Sequence, residues 1–371
     1  MKRIFIFLAV MLLFTLSVNA EETDNIYNEL YSDSNISQLE NSIDDETKEI
    51  LQQFGISLSD YKSFFSGDMD SYMKVVFGFF KSGIKKPLAA MTLGIGVLII
   101  CSSFGGLWSA KLPLTDTYNY ICALSLIAIV LLPMMNTASA CISAVKSVGS
   151  FMLSFVPIFS GLIIVGGGAT TGVVYQTFML GICELITSGM SFLVAPLISA
   201  YICIGVTSAV SGVDGAQQIA IRIKSIANWL IGLIMTFFTG FLSVQSIVTK
   251  AADTVTIKTA RFFVGSFVPV VGGALGDALT TVTAGVSLLK STAMAWCIVV
   301  LLVMLLPSVI ELLIWRVVMF VLSSVAIIFN LGESARLFDT LSAALGLLVA
   351  IMISVAVMFI LSLVIIKVGV G

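Results

Sequence analysis

Six stretches of this chain can each cross a lipid bilayer unaided, and that constrains its fold more than any other feature. They are Pro87 to Leu107, Tyr120 to Ile142, Met190 to Val210, Trp229 to Val248, Ala293 to Ile314 and Leu341 to Ile366. A helix needs about 20 apolar residues to traverse a hydrocarbon layer of about 30 Å. In lipid every backbone amide and carbonyl must be satisfied inside the protein, so stretches of this length are read as helices. The composition agrees. Of the 371 residues 58% are hydrophobic and 11% charged, with a mean hydropathy of +1.09, against roughly 45–50% apolar and about 25% charged in soluble domains. The charges are too few to coat a soluble fold of this size. The expected fold class is an all-α, polytopic integral membrane protein.

Three further apolar stretches are shorter or interrupted. Phe151 to Gly168 ends in three glycines, Val173 to Ile186 contains Glu184, and Val317 to Phe329 follows directly on another span. The expectation is six or seven full spans in residues 87–371, with broken or re-entrant pieces among them.

An internal repeat runs through this region. Lys146, Phe151, Ser154-Phe155-Val156-Pro157 and Gly161 recur as Lys258, Phe263, Ser266-Phe267-Val268-Pro269 and Gly273, all at one offset of 112 positions. Two polar segments, Gly215 to Lys224 and Gly332 to Leu341, also correspond in character. Proline removes a backbone donor and glycine permits unusual dihedrals. In lipid such an interruption is tolerated where protein or a water-filled cavity satisfies the freed groups, and paired Gly/Pro segments in two halves mark central sites in repeat-built transporters. Pro157, Gly161, Pro269 and Gly273 are therefore candidate helix-break or cavity positions, the bland alternative being kinks and close packing. Asp277, just after the second copy, is placed to cap a helix start.

The N-terminus differs in kind. Met1-Lys2-Arg3, an apolar run from Ile4 to Leu16 and Val18-Asn19-Ala20 have the form of a secretory signal peptide over residues 1–20, an uncleaved anchor being the alternative. Residues 21–86 then form an acidic module with apolar positions at helical spacing, such as Ile43, Ile50, Leu51 and Phe54. It is expected to be small, helical and extracytoplasmic. Basic residues flank the spans on both kinds of loop, so the positive-inside rule gives no orientation, and the leader alone sets the sidedness.

Several function classes fall away. There is no histidine, which excludes a Ser-His-Asp triad and any histidine-ligated metal. Nineteen basic against twenty-one acidic residues leave no bulk basic footprint for nucleic acid. No phosphate-binding GxxxxGK[ST] loop occurs. The six cysteines (Cys101, Cys122, Cys141, Cys183, Cys203, Cys297) lie in apolar runs without a CxxC, and read as small buried hydrophobes. Neither enzyme, cofactor nor metal site is expected. What remains is intramembrane charge: Glu184, Glu311 and Arg316. Ionisable groups at depth cost about 2.5–3.5 kcal/mol on insertion scales and usually face a bundle interior or cavity. Glu311 and Arg316, five positions apart, sit about 140° around a helix and are poorly placed to pair. A turn near Trp315 would carry Arg316 to the membrane edge.

The stretch Ala251-Ala252-Asp253-Thr254-Val255 through Arg261, Phe267-Val268-Pro269-Val270-Val271-Gly272-Gly273, Asp277-Ala278 and Leu288-Leu289-Lys290, with the order leader, acidic segment and polytopic region, resembles stage III sporulation protein AE of endospore-forming Firmicutes. The resemblance implies a subunit of a channel or secretion-like complex in the mother-cell membrane around the forespore. Its implied partners are the other stage III A membrane proteins and, directly or indirectly, stage II protein Q of the forespore, besides membrane lipid. It carries over no catalytic residues. From the residues alone, a secondary transporter with a midplane site at the repeated Pro/Gly segments and Glu184 as coupling carboxylate stands as the alternative.

Overall fold

The computed structural model describes residues 39, 42–53, 77–107, 115–211, 214–267 and 272–370, with the side chains of 254–267 and 272–285 among those left out. The expected leader, most of the acidic module and Pro269 lie outside the described residues. Among those described there is no strand. The helices are α1 (Asp45–Gln53), α2 (Lys85–Leu107), α3 (Thr115–Val165), α4 (Ala169–Gly189), α5 (Ala195–Ser211), α6 (Asp214–Phe267), α7 (Gly272–Ile328) and α8 (Gly332–Val370), with a π-helical turn Met190–Val194 between α4 and α5.

Among the described residues six helical stretches are long and apolar enough to cross a membrane: Phe77–Ser103, Ile121–Val165, Ala169–Ser208, Gln218–Thr249, Val286–Ile328 and Gly332–Ile365. The chain is thus a multi-pass, all-helical membrane protein. The three uncertain stretches are not separate pieces. Phe151 to Val165 continues α3 and Val317 to Ile328 continues α7. Val173 to Ile186 is joined to α5 through the π-helical turn. The joins contain residues such as Ser147, Gly149 and Arg316 that dilute hydropathy but leave the i→i−4 ladder intact. The structure also corrects the cysteine reading: Cys101 of α2 is bonded to Cys122 of α3, with Cα atoms 6.2 Å apart. Cys203 is exposed, while Cys141, Cys183 and Cys297 are buried thiols as expected.

The centre of the bundle is the antiparallel pair α3 and α7. Phe151, Phe155 and Phe159 recur every four residues and all are buried, so one face of α3 is an aromatic column. Phe151 meets Trp296 of α7 at 5.8 Å between ring centroids, Phe155 stacks on Phe159 at 5.2 Å, and Phe159 meets Tyr175 of α4 edge-on at 5.9 Å. Between helices in lipid the driving force is packing rather than transfer from water, and offset or tilted aromatic pairs contribute about 0.5–1.5 kcal/mol each. Two residues of the first repeat copy, Phe151 and Phe155, are therefore core residues.

α2 lies against the half of α7 that follows Pro307. An added Cβ on Gly83 would lie 3.7 Å from Glu311, and one on Gly94 would lie 2.9 Å from Leu322. The short acidic helix α1 sits elsewhere. It borders a cavity of about 290 Å³ whose walls include Asp44, Thr47 and Ile50, Ala140 to Ser147 of α3, and Val303 to Ser308 of α7. That is the midpoint of both long spans. Its apolar face is buried through Ile43, Ile50 and Leu51, while Asp44, Asp45 and Glu49 are exposed. Asp44 caps the helix, accepting hydrogen bonds from the Thr47 hydroxyl at 2.7 Å and the Thr47 amide at 3.4 Å.

Two helical hairpins close the bundle. The turn Gly166-Gly167-Gly168 joins α3 to α4, and Phe329-Asn330-Leu331 joins α7 to α8. Both have the same bonding. The Gly168 amide reaches the Ile163 carbonyl at 2.9 Å and Gly167 reaches Ile164 at 3.0 Å; Leu331 reaches Ala326 at 2.9 Å and Asn330 reaches Ile327 at 3.0 Å. This 6→1 and 5→2 pairing is the Schellman motif, which needs a left-handed residue at its centre. Gly167 supplies it at φ 93° and Asn330 at φ 58°.

Candidate functional site

Two clusters of polar groups tie helices together through buried side chains, one along the α3–α7 seam and one at the tip of the first hairpin. The seam is built around two prolines, Pro133 of α3 and Pro307 of α7, both inside continuous helices. Each removes one backbone hydrogen bond. One turn beyond Pro133, the Thr137 hydroxyl donates to the Glu311 carboxylate at 2.7 Å and accepts from the Trp315 indole N–H at 3.1 Å. Thr137 and Trp315 are buried and Glu311 is half-buried. Cys141, one further turn along α3, lies 3.9 Å from the Ser308 carbonyl through its Sγ. The result is an ordered chain, indole to hydroxyl to carboxylate, whose Glu311 stands one turn along α7 from the Pro307 and Ser308 that wall the cavity bordered by α1. It holds a carboxylate at depth with its nearer oxygen satisfied, the condition under which such a group is tolerated.

Of the residues singled out in the sequence, Glu311 is the one built into this seam. Arg316 does not pair with it. The expected turn at Trp315 is absent, since α7 is continuous there, and Arg316 is exposed, with its guanidinium carbon 3.5 Å from where a Cβ on Gly346 of α8 would stand. Glu184 is exposed on α4, and its carboxylate accepts a hydrogen bond from Ser188 on its own helix at 2.8 Å. Pro157 does not break α3: the helix runs through it to Val165 and the break falls at Gly166–Gly168. A Cβ on Gly161 would meet no neighbour among the described residues. In the second copy α6 ends at Phe267 and α7 begins at Gly272, with Gly273 in its first turn; Asp277 stands inside α7 rather than at its start, which corrects the capping reading.

The second cluster was missed in the sequence. Gly168 is the N-cap of α4, since its carbonyl accepts from Gly172 at 2.8 Å, yet it has no side chain to bond the orphan amides of the first turn. Asp253, from the far end of α6, supplies that bond. It accepts from the Thr170 amide at 2.9 Å, from the Thr171 amide at 3.0 Å and from the Thr171 hydroxyl at 2.5 Å. Asp253 is buried. Burial pushes its carboxyl up, but the three hydrogen bonds outweigh that and hold it below the ordinary aspartate value. Asp253 is one of the residues on which the family resemblance rests. The signal available beforehand was an uncapped helix start, Gly168-Ala169-Thr170-Thr171, that requires an acceptor from elsewhere.

Neither cluster is a metal site: no group of three or more metal-ligating side chains occurs among the described residues. Nor does either one assemble a nucleophile with a base. Together they belong to a class of multi-span helical membrane proteins whose polar groups tie helices to one another. The chain matches the family Stage III sporulation protein AE over residues 66–371, and it belongs to that family. It is also similar to the stage III sporulation protein AE of Bacillus subtilis (strain 168), 30% identical over 151 residues, which covers 40% of this chain and 37% of that protein. No solved structure matches.

Proposed function

We propose that this chain is a membrane subunit of the sporulation channel or secretion-like complex that links mother cell and forespore and supports late forespore gene expression. The observation that carries the reading is membership of the stage III sporulation protein AE family over most of the chain. In this reading residues 1–20 are a leader, residues 21–86 face the space between the two membranes, and residues 87–371 form the polytopic domain in the mother-cell membrane. The partners are other stage III A membrane proteins and, directly or indirectly, stage II protein Q. The seating of α1 on the α3–α7 seam supports a module that reports on, or is held by, the membrane domain. The transporter alternative draws less support from the geometry, because Glu184 faces outward and Phe151, Phe155 and Val156 of the first repeat copy are core residues.

The test is affinity purification of the tagged full chain from sporulating cells in mild detergent, with mass spectrometry of what accompanies it. Recovery of several sporulation membrane proteins, lost on deletion of residues 21–86, is the expected result. A chain that purifies alone from sporulating cells overturns the proposal.

A further inference from the structure

The π-helical turn Met190–Val194 is the one place among the described residues where the α-helical ladder widens within a span. Such turns insert an extra residue and recur at functional sites. Here the turn opens a cleft between the α4–α5 rod, α6 and α8. The cleft has a volume of about 130 Å³ and is lined by Gly189 and Leu193 on the rod, Ala227 and Ile234 on α6, and Ile351 and Met358 on α8 among others. Ser354 is the only residue with a polar side chain among the described ones that line it.

Three observations define the occupant. First, every wall of the cleft belongs to a span: Ala169–Ser208, Gln218–Thr249 and Gly332–Ile365. Second, its rim is open to the surroundings, since Leu185 and Leu193 are 53% and 58% exposed. Third, its lining offers water almost nothing. A water needs two to four polar partners, and an apolar cavity of about 150 Å³ stays dry and takes up apolar ligands. Where these three spans cross the bilayer their solvent is lipid, and that is the apolar material such a cleft can take up.

We infer that the cleft is a binding site for one acyl chain of a bilayer phospholipid, which enters laterally past Leu185 and Leu193. The chain's methylenes fill the gap that the π-helical turn opens and so join the α4–α5 rod to α6, the least buried of the spans. Gly189 lines the cleft and borders open space, since a Cβ there would meet nothing within 4 Å, so a large side chain at this position has room to occupy the cleft.

The experiment reconstitutes the full chain in phosphatidylethanolamine–phosphatidylglycerol vesicles that contain a phospholipid with a diazirine midway along one acyl chain. After irradiation, crosslinked peptides are mapped by mass spectrometry. The expected result is crosslinking at the cleft several-fold above that at exposed span residues outside it, such as Leu93 and Phe320. Gly189→Leu should lower the cleft signal several-fold and leave Leu93 and Phe320 unchanged. Labelling spread evenly over all exposed apolar positions overturns the inference, as does a cleft signal indifferent to Gly189→Leu. A cleft left unlabelled and instead crosslinked to a second copy or another protein overturns it too. If Gly189→Leu does not reconstitute, Ser354→Leu fills the opposite wall and is read in the same way.

Discussion

The two hairpins share one backbone solution and differ in what holds them. Both turn through a Schellman motif, but the α3–α4 turn is built of three glycines and is capped by Asp253 from a third helix. The α7–α8 turn uses Asn330 at its left-handed position, and a side-chain tie beyond it is the Ser323 hydroxyl donating to Asp339 at 2.8 Å, between the two helices of the hairpin itself. The first tip is also the tighter one: a Cβ on Gly172 would fall 2.5 Å from the Ile164 side chain and 2.9 Å from the Ser160 carbonyl. The Ser323–Asp339 tie stays within its hairpin, whereas the Asp253 cap comes from a distant segment of the chain. A local motif can thus be complete in its hydrogen bonds and still leave its stability to a partner contributed 83 positions away.

The largest expected contrast is between removing the two acidic ties. Asp253→Ala strands two amides and a hydroxyl at a buried helix start and should lower stability by about 2–3 kcal/mol. Asp339→Ala loses a single hydrogen bond at an exposed residue and should cost about 0.5–1 kcal/mol. Thermal unfolding of both variants in detergent compares them directly, and equal losses would break the distinction drawn here. Acidification probes the first tie alone. Because the Asp253 carboxyl is held below its ordinary value, its contribution is fully present above that value and is lost as pH falls through the lowered one. The slope of stability against pH in that acid range should flatten in Asp253→Asn and stay unchanged in Asp339→Asn.

Smaller effects sharpen the comparison at the turn centres. Gly167→Ala places a Cβ on a residue at φ 93° and should cost about 1–2 kcal/mol. Asn330→Gly should fall within a few tenths of a kcal/mol of the parent, since glycine and asparagine are the residues that favour this conformation. A similar cost for both substitutions, measured in the same detergent, would mean that the second turn relies on its asparagine side chain rather than on backbone geometry.

The spans were legible because hydropathy reports directly on lipid exposure, and five of the six expected cores fall inside a single helix with their neighbours correctly ordered. The fusions were not. Lys146 and Ser147 lower the hydropathy between Ile142 and Phe151, but nothing in them interrupts a helix, so two apparent stretches are one rod. Pro157 misled in the opposite sense: it looks like a break, yet α3 runs through it to Val165, because a proline removes only the bond to the carbonyl four residues back, a loss that membrane helices tolerate. In the candidate site Glu311 was found because a lone carboxylate in an apolar run is conspicuous. Thr137 and Asp253 were not, because a threonine in a span and an aspartate after one are ordinary until the helices they bridge are brought together.

The length of the central rods has a consequence for the membrane itself. Apolar helices of 45 and 43 residues rise about 65 Å, against a hydrocarbon layer of about 30 Å. Even at the steepest common tilt of about 40°, far more of each rod is greasy than one bilayer can hide. The charged helix α1, parked at mid-height, marks a level that water reaches, so the bundle has two storeys and lipid can house only one. The outward side chains of the other storey, on whichever side of α1 it stands, have to be roofed by protein, which makes this an architecture suited to life inside an assembly.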